Sequence, residues 1–107
     1  MSKFDEREKG FEAKFALDEE LKFKIEARRN KLLGLWAADL MGLSGDAAGA
    51  YAREVVKADF AEAGDEDVYR KVKSDLDAKG IEISEHRLRR EMADKLAEAR
   101  DQIIEQS

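Results

Sequence analysis

The stretch ARRNKLLGLWAA, residues 27–38, contains the single tryptophan, a cluster of three cations and the longest apolar run of the chain. Its basic half is typical of a binding surface, whereas its apolar half is typical of a helix at the centre of a core. Leu32, Leu35 and Trp36 are predicted to face inward, and Gly34 is expected to let another helix approach closely. The cations are predicted to face mostly outward, and they are Arg28, Arg29 and Lys31.

Composition limits the class of protein. The 107 residues predict one domain, and 43% of them are hydrophobic, which allows a small core. Charged residues make up 42%, far above the usual quarter or so, which favours long solvated helices. The net charge of −5 argues against nucleic-acid binding, for which a positive excess is the usual signature. The N-terminus is charged, cysteine is absent, and no apolar run approaches the ~20 residues of a membrane span, so we expect a cytoplasmic protein without direct membrane insertion.

The N-terminal segment alternates aromatic and charged side chains, and three phenylalanines at helical spacing form one narrow stripe. Asp18 and Lys22 take the next positions of that stripe, so the apolar pattern of the following helix, predicted over residues 19–41, is out of phase with it. We therefore predict a mobile or extended arm, residues 1–19, ahead of a bundle formed by residues 20–107. Two interpretations stay open: the arm covers the core, or it folds as an amphipathic helix against a partner. The phenylalanines are Phe4, Phe11 and Phe15.

Glycine and serine divide the rest of the chain, since proline is absent and no strand-like alternation occurs. Gly42 and Gly80 are predicted just past the ends of the first and third helices. Ser44, Asp65 and Ser84 are predicted as N-caps of the second, third and fourth helices. The predicted fold class is therefore all-α, a four-helix bundle with an N-terminal arm, in which short connections make successive helices antiparallel.

One apolar stripe from each helix is expected to line the core. The first helix contributes Leu21, Ile25, Leu32, Trp36 and Leu40. The second contributes Ala48, Tyr51, Ala52, Val55, Val56, Phe60 and Ala63. The third and fourth contribute Val68, Tyr69, Val72 and Leu76, then Leu88, Met92, Leu96, Ala99 and Ile103.

The sequence contains no constellation typical of an enzyme. A metal site around His86, the only histidine, would need two or three more convergent ligands, so we predict a surface histidine in the first turn of the last helix. There is no glycine-rich phosphate loop and no nucleophile beside a base. We predict no catalytic residue, no metal and no cofactor.

Five segments form a long and unusual combination: FEAKF at 11–15, ARRNKLLGLWAA at 27–38, EVVKADF at 54–60, EAGDEDV at 62–68 and ISEH at 83–86. With these segments the chain resembles the zeta subunit family of the alphaproteobacterial F-type ATP synthase, an inhibitor of ATP hydrolysis. The similarity extends over nearly the whole chain, with no large insertion or missing segment. The resemblance implies a four-helix fold, in agreement with the helices predicted above.

The resemblance also implies a function for the arm. In that family the N-terminal segment enters the catalytic head at an interface between nucleotide-binding subunits and the central rotor, and it blocks rotation in the hydrolytic direction. Residues 1–19 would then be the inhibitory segment of a protein that associates peripherally with the membrane-bound synthase. The individual contacts are our choice, from the stripe and its flanking charges: Phe4, Arg7, Glu8, Phe11, Lys14 and Phe15.

A different class of function also stays open. A small helical bundle could bind an adenine nucleotide weakly, without catalysis, through Arg28, Arg29 and Lys31. The same three cations are candidates for a secondary contact with the synthase. A nucleic-acid accessory protein is a third alternative, which the net charge disfavours.

Overall fold

The structure is a computed structural model that describes the backbone of residues 3–59 and 65–106, and side chains from residue 19 to residue 105 within those ranges. Every element in the described ranges is a helix, and the fold is all-α with an extended N-terminal arm, as predicted. The molecule measures 63 × 26 × 22 Å along its principal axes. The four helices are α1 (Lys3–Leu40), α2 (Gly45–Ala58), α3 (Glu66–Ala78) and α4 (Glu85–Gln106).

Glycines end two of the helices, as the sequence predicts. Gly42 follows α1 with a φ of +79°, a conformation that costs glycine little because it has no Cβ. There the Leu43 N–H donates to the Ala38 carbonyl at 2.8 Å, which satisfies one of the carbonyls left open at the helix end. Gly80 ends α3 in the same way with a φ of +76°.

The predicted N-cap positions are confirmed, but only one of the three side chains caps its helix. The Ser84 Oγ accepts a hydrogen bond from the Arg87 N–H at 3.0 Å at the start of α4. Ser44 and Asp65 precede α2 and α3 without a side-chain cap hydrogen bond. Asp65 has helical backbone angles, φ −95° and ψ −2°, instead of the extended angles that bring an N-cap side chain over its helix. Its carboxylate is therefore available to another partner.

The core lies where α1, α2 and α3 meet the first half of α4. The predicted stripes of α2, α3 and α4 supply it, with Val55, Val72 and Leu88 completely buried. Phe60 and Ala63 of the predicted stripe lie outside the described residues. The buried core cluster consists of Leu33, Ala37, Ala38, Tyr51, Val55, Val68, Val72, Leu76, Leu88 and Met92.

The buried face of α1 differs from the prediction. Leu33 and Ala37 are completely buried, whereas Trp36 only partly enters the core and packs against its edge. Leu40 is 43% exposed, so its predicted place in the core is wrong. It is the last residue of α1, and the chain turns away at Gly42 before another turn of helix can cover it. Leu32 and Leu35 are half-buried.

Gly34 fixes how closely α1 and α2 approach. A Cβ added at this position would lie 2.7 Å from the Cα of Ala52 and 3.2 Å from Cγ2 of Val55. Because Ala52 meets it with backbone, no side-chain rotation could make room for that methyl group. The expected close helix approach is confirmed.

We expect Gly34→Ala to destabilise the bundle. Overpacking costs about 1–3 kcal/mol, and a contact with backbone places this site in the upper part of that range, at about 2–3 kcal/mol. Since the gain in helix propensity returns about 1 kcal/mol, the net loss should be about 1–2 kcal/mol in urea denaturation. Gly49→Ala is the matched control in α2, because a Cβ there meets nothing within 4 Å. The control should be neutral or stabilising by up to about 1 kcal/mol. A Gly34→Ala protein as stable as the original chain would contradict this packing.

Candidate functional site

The candidate arm lies on an unbroken helix. α1 runs from Lys3 to Leu40 without interruption, so the change of apolar phase near Asp18 occurs within continuous helical backbone. With 3.6 residues per turn, the three phenylalanine positions fall within ~40° of one face. Side chains before residue 19 lie outside the described part of the structure. The predicted contacts on this backbone are Phe4, Arg7, Glu8, Phe11, Lys14 and Phe15.

The pairing of α1 with α4 shows where the arm leaves the bundle. Leu21 of α1 lines a groove together with Ile104 of α4, and the Arg28 Nη1 donates to Oε1 of Gln102 at 2.7 Å. The two helices are antiparallel, so the end of α4 at Gln106 lies approximately opposite residue 19 of α1. Helix α1 continues over residues 3–18, which at ~1.5 Å per residue is about 24 Å beyond that end.

The three cations of the central stretch have different surroundings. Arg28 is half-buried against α4, and Lys31 is exposed. Arg29 is only 2% exposed, so the prediction that it faces outward is wrong. Its Nη2 donates to Oδ1 of Asp65 at 2.8 Å, and this carboxylate, at the start of α3, draws the guanidinium into the bundle. Because Asp65 is 36 positions away in sequence, helical periodicity could not reveal this pair.

Asn30 completes the arrangement around Arg29, and the sequence analysis missed it. Asn30 is completely buried, and its Oδ1 accepts a hydrogen bond from the Arg29 Nε at 2.7 Å. Within the described part of the chain, the Asn30 Nδ2 has no hydrogen-bond partner. The only sign of this in the sequence was that a polar residue lies within the helix that was predicted to form the centre of the core.

A second polar cluster lies beside Asp65 and joins α3 to α4. The Arg89 guanidinium stacks 4.1 Å from the centre of the Tyr69 ring, and its Nη2 donates to Oε1 of Glu66 at 2.9 Å. Its Nε donates to Oε1 of Glu85 at 3.2 Å. That hydrogen bond and the carboxylate of Glu66 raise the pKa of Arg89. The cluster is exposed, and it connects the start of α3 to the start of α4.

Lys31 borders a groove between α1 and α2 that the sequence analysis did not foresee. The groove has a volume of 660 Å³. Its other cations, Arg53 and Lys57, are one turn apart on α2, a spacing that is visible in the sequence once the two helices are known to be neighbours. The remaining lining residues are Gly49, Ala52 and Val56.

His86 is exposed in the first turn of α4, where the sequence placed it. The described residues contain no group of three or more His, Asp or Glu side chains that could hold a metal ion. Among the described helices, none combines the length and the apolar character needed to cross a membrane.

Comparison with known proteins identifies first the fold and then the family. A solved structure, described as a solution NMR structure, is 53% identical to this chain, with a TM-score of 0.72. The match covers 81% of this chain and 99% of that chain. A search of curated proteins finds no match. The family model for ATPase inhibitor subunit zeta matches residues 1–102, and the chain belongs to that family.

The family match confirms the resemblance found in the sequence. It defines a protein that regulates an ATPase by inhibition, and it implies association with the ATP synthase. The match begins at residue 1, so it includes the arm as well as the bundle.

Breaking the ion pair of the buried Arg29 with the half-exposed Asp65 should cost more than breaking an exposed pair at the same helix end. Asp65→Ala leaves the buried guanidinium of Arg29 without its carboxylate, and we expect a loss of about 1–3 kcal/mol in the free energy of unfolding. Glu66→Ala is the matched control, since it also removes a negative charge from the start of α3 but breaks only the exposed contact with Arg89. That control should lose about 0–1 kcal/mol. Equal losses would contradict the claim that the Arg29–Asp65 pair contributes more to stability than the exposed pair.

Proposed function

We propose that this protein inhibits ATP hydrolysis by inserting residues 1–19, as a helix, into the catalytic head of the F-type ATP synthase. The helix enters between the nucleotide-binding subunits and the central rotor and blocks rotation. The protein catalyses no reaction itself, and it acts in the cytoplasm as a peripheral component of the membrane-bound synthase. Membership of the ATPase inhibitor family supports the inhibitory role. The continuation of α1 beyond the end of α4 is the observation that favours the arm as the inserted part.

Continuity with the bundle favours the arm as a helix. An isolated helix of this length would be marginal in water, because its first turn fixes several residues for one hydrogen bond. In this chain the bundle portion of α1 already supplies that first turn, so the arm only has to extend an existing helix. Fixing a residue costs about 1–2 kcal/mol of backbone entropy, and each residue that is already helical before binding lowers the cost of insertion.

The phenylalanine stripe supplies the proposed contact with the catalytic head. Burial of one phenylalanine contributes about 1.5–3 kcal/mol, so three would offset much of the ordering cost. The flanking charges are suited to pair with the partner around this apolar stripe, which fixes the rotation of the helix. The candidate contacts are Phe4, Phe11 and Phe15 in the stripe, with Arg7, Glu8 and Lys14 beside it.

The bundle is suited to set the depth of insertion. A single α-helix with its side chains is roughly 10–12 Å across, whereas the short axes of the molecule measure 26 and 22 Å. A passage that admits the arm therefore excludes the bundle. Because the arm and the bundle share α1, we propose that contact of the bundle with the outside of the head directly limits how far the arm can enter.

The alternative of weak adenine-nucleotide binding loses part of its support. Arg29 was one of three cations proposed to hold the phosphates, and its guanidinium is engaged with Asp65 and Asn30. Arg28 donates to Gln102, which leaves Lys31 as the one exposed member of the set. Because two of the three proposed phosphate-binding cations are engaged within the bundle, we favour inhibition through the arm over nucleotide binding.

Replacing two aromatic residues of the arm tests this mechanism. Phe11→Ala with Phe15→Ala removes about 3–6 kcal/mol of burial, so the concentration that half-inhibits ATP hydrolysis by the purified catalytic head should rise about 100-fold or more. Removal of residues 1–19 should abolish inhibition. Thermal unfolding of the double variant should be unchanged, since both positions lie beyond the end of α4.

Glu6→Ala with Lys9→Ala is the matched control for the stripe. These positions lie on the opposite face of the same helix, and the double change leaves the net charge unaltered. We expect inhibition close to that of the original chain. Inhibition by the truncated chain equal to that by the intact chain would contradict the arm mechanism, and a large loss of thermal stability in the phenylalanine variant would place those rings in the core. No inhibition by the intact chain would contradict the function itself.

A further inference from the structure

The groove between α1 and α2 has an apolar floor and cationic sides. Gly49, Ala52 and Val56 form the floor, with Lys31 on the α1 side and cations of α2 on the other. From Gly49 to Lys57 the α2 side extends over about 12 Å, a little more than two helical turns. Gly49 leaves room for another backbone to come close, because a Cβ there would meet nothing within 4 Å, while Val56 offers an apolar contact.

Among the described residues, the cations of this groove form no ion pair, unlike all three cations of α3 and two of the five on α4. Lys73 pairs with Asp77 at 2.9 Å, and Lys95 lies 3.4 Å from Glu98. Within the described part of the chain, Lys31, Arg53 and Lys57 form no side-chain ion pair or hydrogen bond, although all three are exposed. Three unpaired cations around one groove are notable in a chain whose net charge is −5.

Glu54, next to Arg53, is the acidic residue nearest to these cations in sequence, and it lies on the other side of α2. Glu54 lies close enough to Tyr51 for its charge to act on the phenol, which donates a hydrogen bond to Oδ2 of Asp75 at 2.8 Å. Burial, that hydrogen bond and the charges of Asp75 and Glu54 raise the pKa of Tyr51. Glu54 therefore belongs to the α3 side of α2 and leaves the groove positive.

Cationic side chains continue along α1 toward the arm, where Lys24 pairs with Glu20 at 3.4 Å. A neighbouring groove of 530 Å³ shares Lys31 and Val56 with the first and adds Lys24 and Arg28. A partner that held the inserted arm would therefore meet this surface where α1 leaves the bundle. This continuity favours the protein that receives the arm as the occupant of the groove.

We infer that the α1–α2 groove docks an acidic amphipathic helix of the partner that receives the arm, in a second contact that rests on the proposed inhibitory function. Small apolar residues of that helix, spaced three or four apart, would lie on Gly49 and Val56, as in other helix-in-groove complexes. Its carboxylates would pair with Lys31 on one side and with Arg53 and Lys57 on the other. The groove holds the bundle against the head, while the arm blocks rotation.

Neutralising the groove in the full-length chain tests this docking. The variant is Lys31→Gln, Arg53→Gln and Lys57→Gln, and the matched control is Lys79→Gln, Arg87→Gln and Arg90→Gln. Both lose three exposed positive charges, but the control residues lie on α4 and just past the end of α3, away from the groove. The measurement is half-inhibition of ATP hydrolysis by the purified catalytic head, at about 0.02 M and about 0.2 M salt.

The groove variant should need about ten times more protein for half-inhibition at low salt, which corresponds to about 1.4 kcal/mol. Its maximal inhibition should be unchanged, the difference should shrink at high salt, and the control should behave like the original chain. Equal half-inhibition by groove variant and control would overturn the docking surface and leave the inhibitory function standing. Failure of the original chain to inhibit would overturn both.

Two further results would assign the groove to another occupant and overturn the inference. The first is a shift of the amide resonances of Lys31, Ala52 and Val56 when ATP is added to the free chain. The second is a dimer of the original chain in sedimentation that the groove variant abolishes. An unshifted spectrum and a monomer in both proteins are the results that the docking surface predicts.

Discussion

The contact between Gly34 and Ala52 is the constraint on which the rest of the bundle depends. It brings the backbones of α1 and α2 together and fixes the rotation of α1, so that Leu33 enters the core. One turn earlier on the same face, Arg29 is carried inward to the carboxylate of Asp65. Lys31 is then left on the α2 side, at the rim of the groove. One glycine thus helps to decide which of three neighbouring cations is structural and which is available to a partner.

Helix α1 has two roles that the distribution of its side chains keeps apart. From Leu21 onward it packs against α4 and then forms the centre of the core. Charged residues at Asp18 and Lys22 interrupt the face that carries the arm phenylalanines, so the apolar surface of the bundle and that of the arm are not continuous. The helical backbone, by contrast, is continuous through both parts. The bundle can therefore present an amphipathic helix about 24 Å beyond its own end, and we propose that this helix is the inhibitory element.

Local signals in the sequence predicted most of the fold. Gly42 and Gly80 end helices because each needs a positive φ, and Ser84 caps α4 through a hydrogen bond three residues away. Features that depend on distant residues were not predictable in this way. The burial of Arg29 requires a carboxylate from another helix, and that same contact takes the Asp65 side chain away from a capping role. The sequence likewise gave no sign that Lys31 would share a groove with cations of α2, since this depends on how two helices pack.

The central claim is that the extension of α1 is the part that enters the synthase while the bundle stays outside. A structure of the intact chain bound to the catalytic head, determined by electron microscopy, tests this claim most directly. The account predicts an unbroken α1, with residues 3–18 between the nucleotide-binding subunits and the rotor and α2, α3 and α4 outside the head. A complex in which the bundle occupies that interface, or in which the arm remains in solvent while hydrolysis is inhibited, would contradict it.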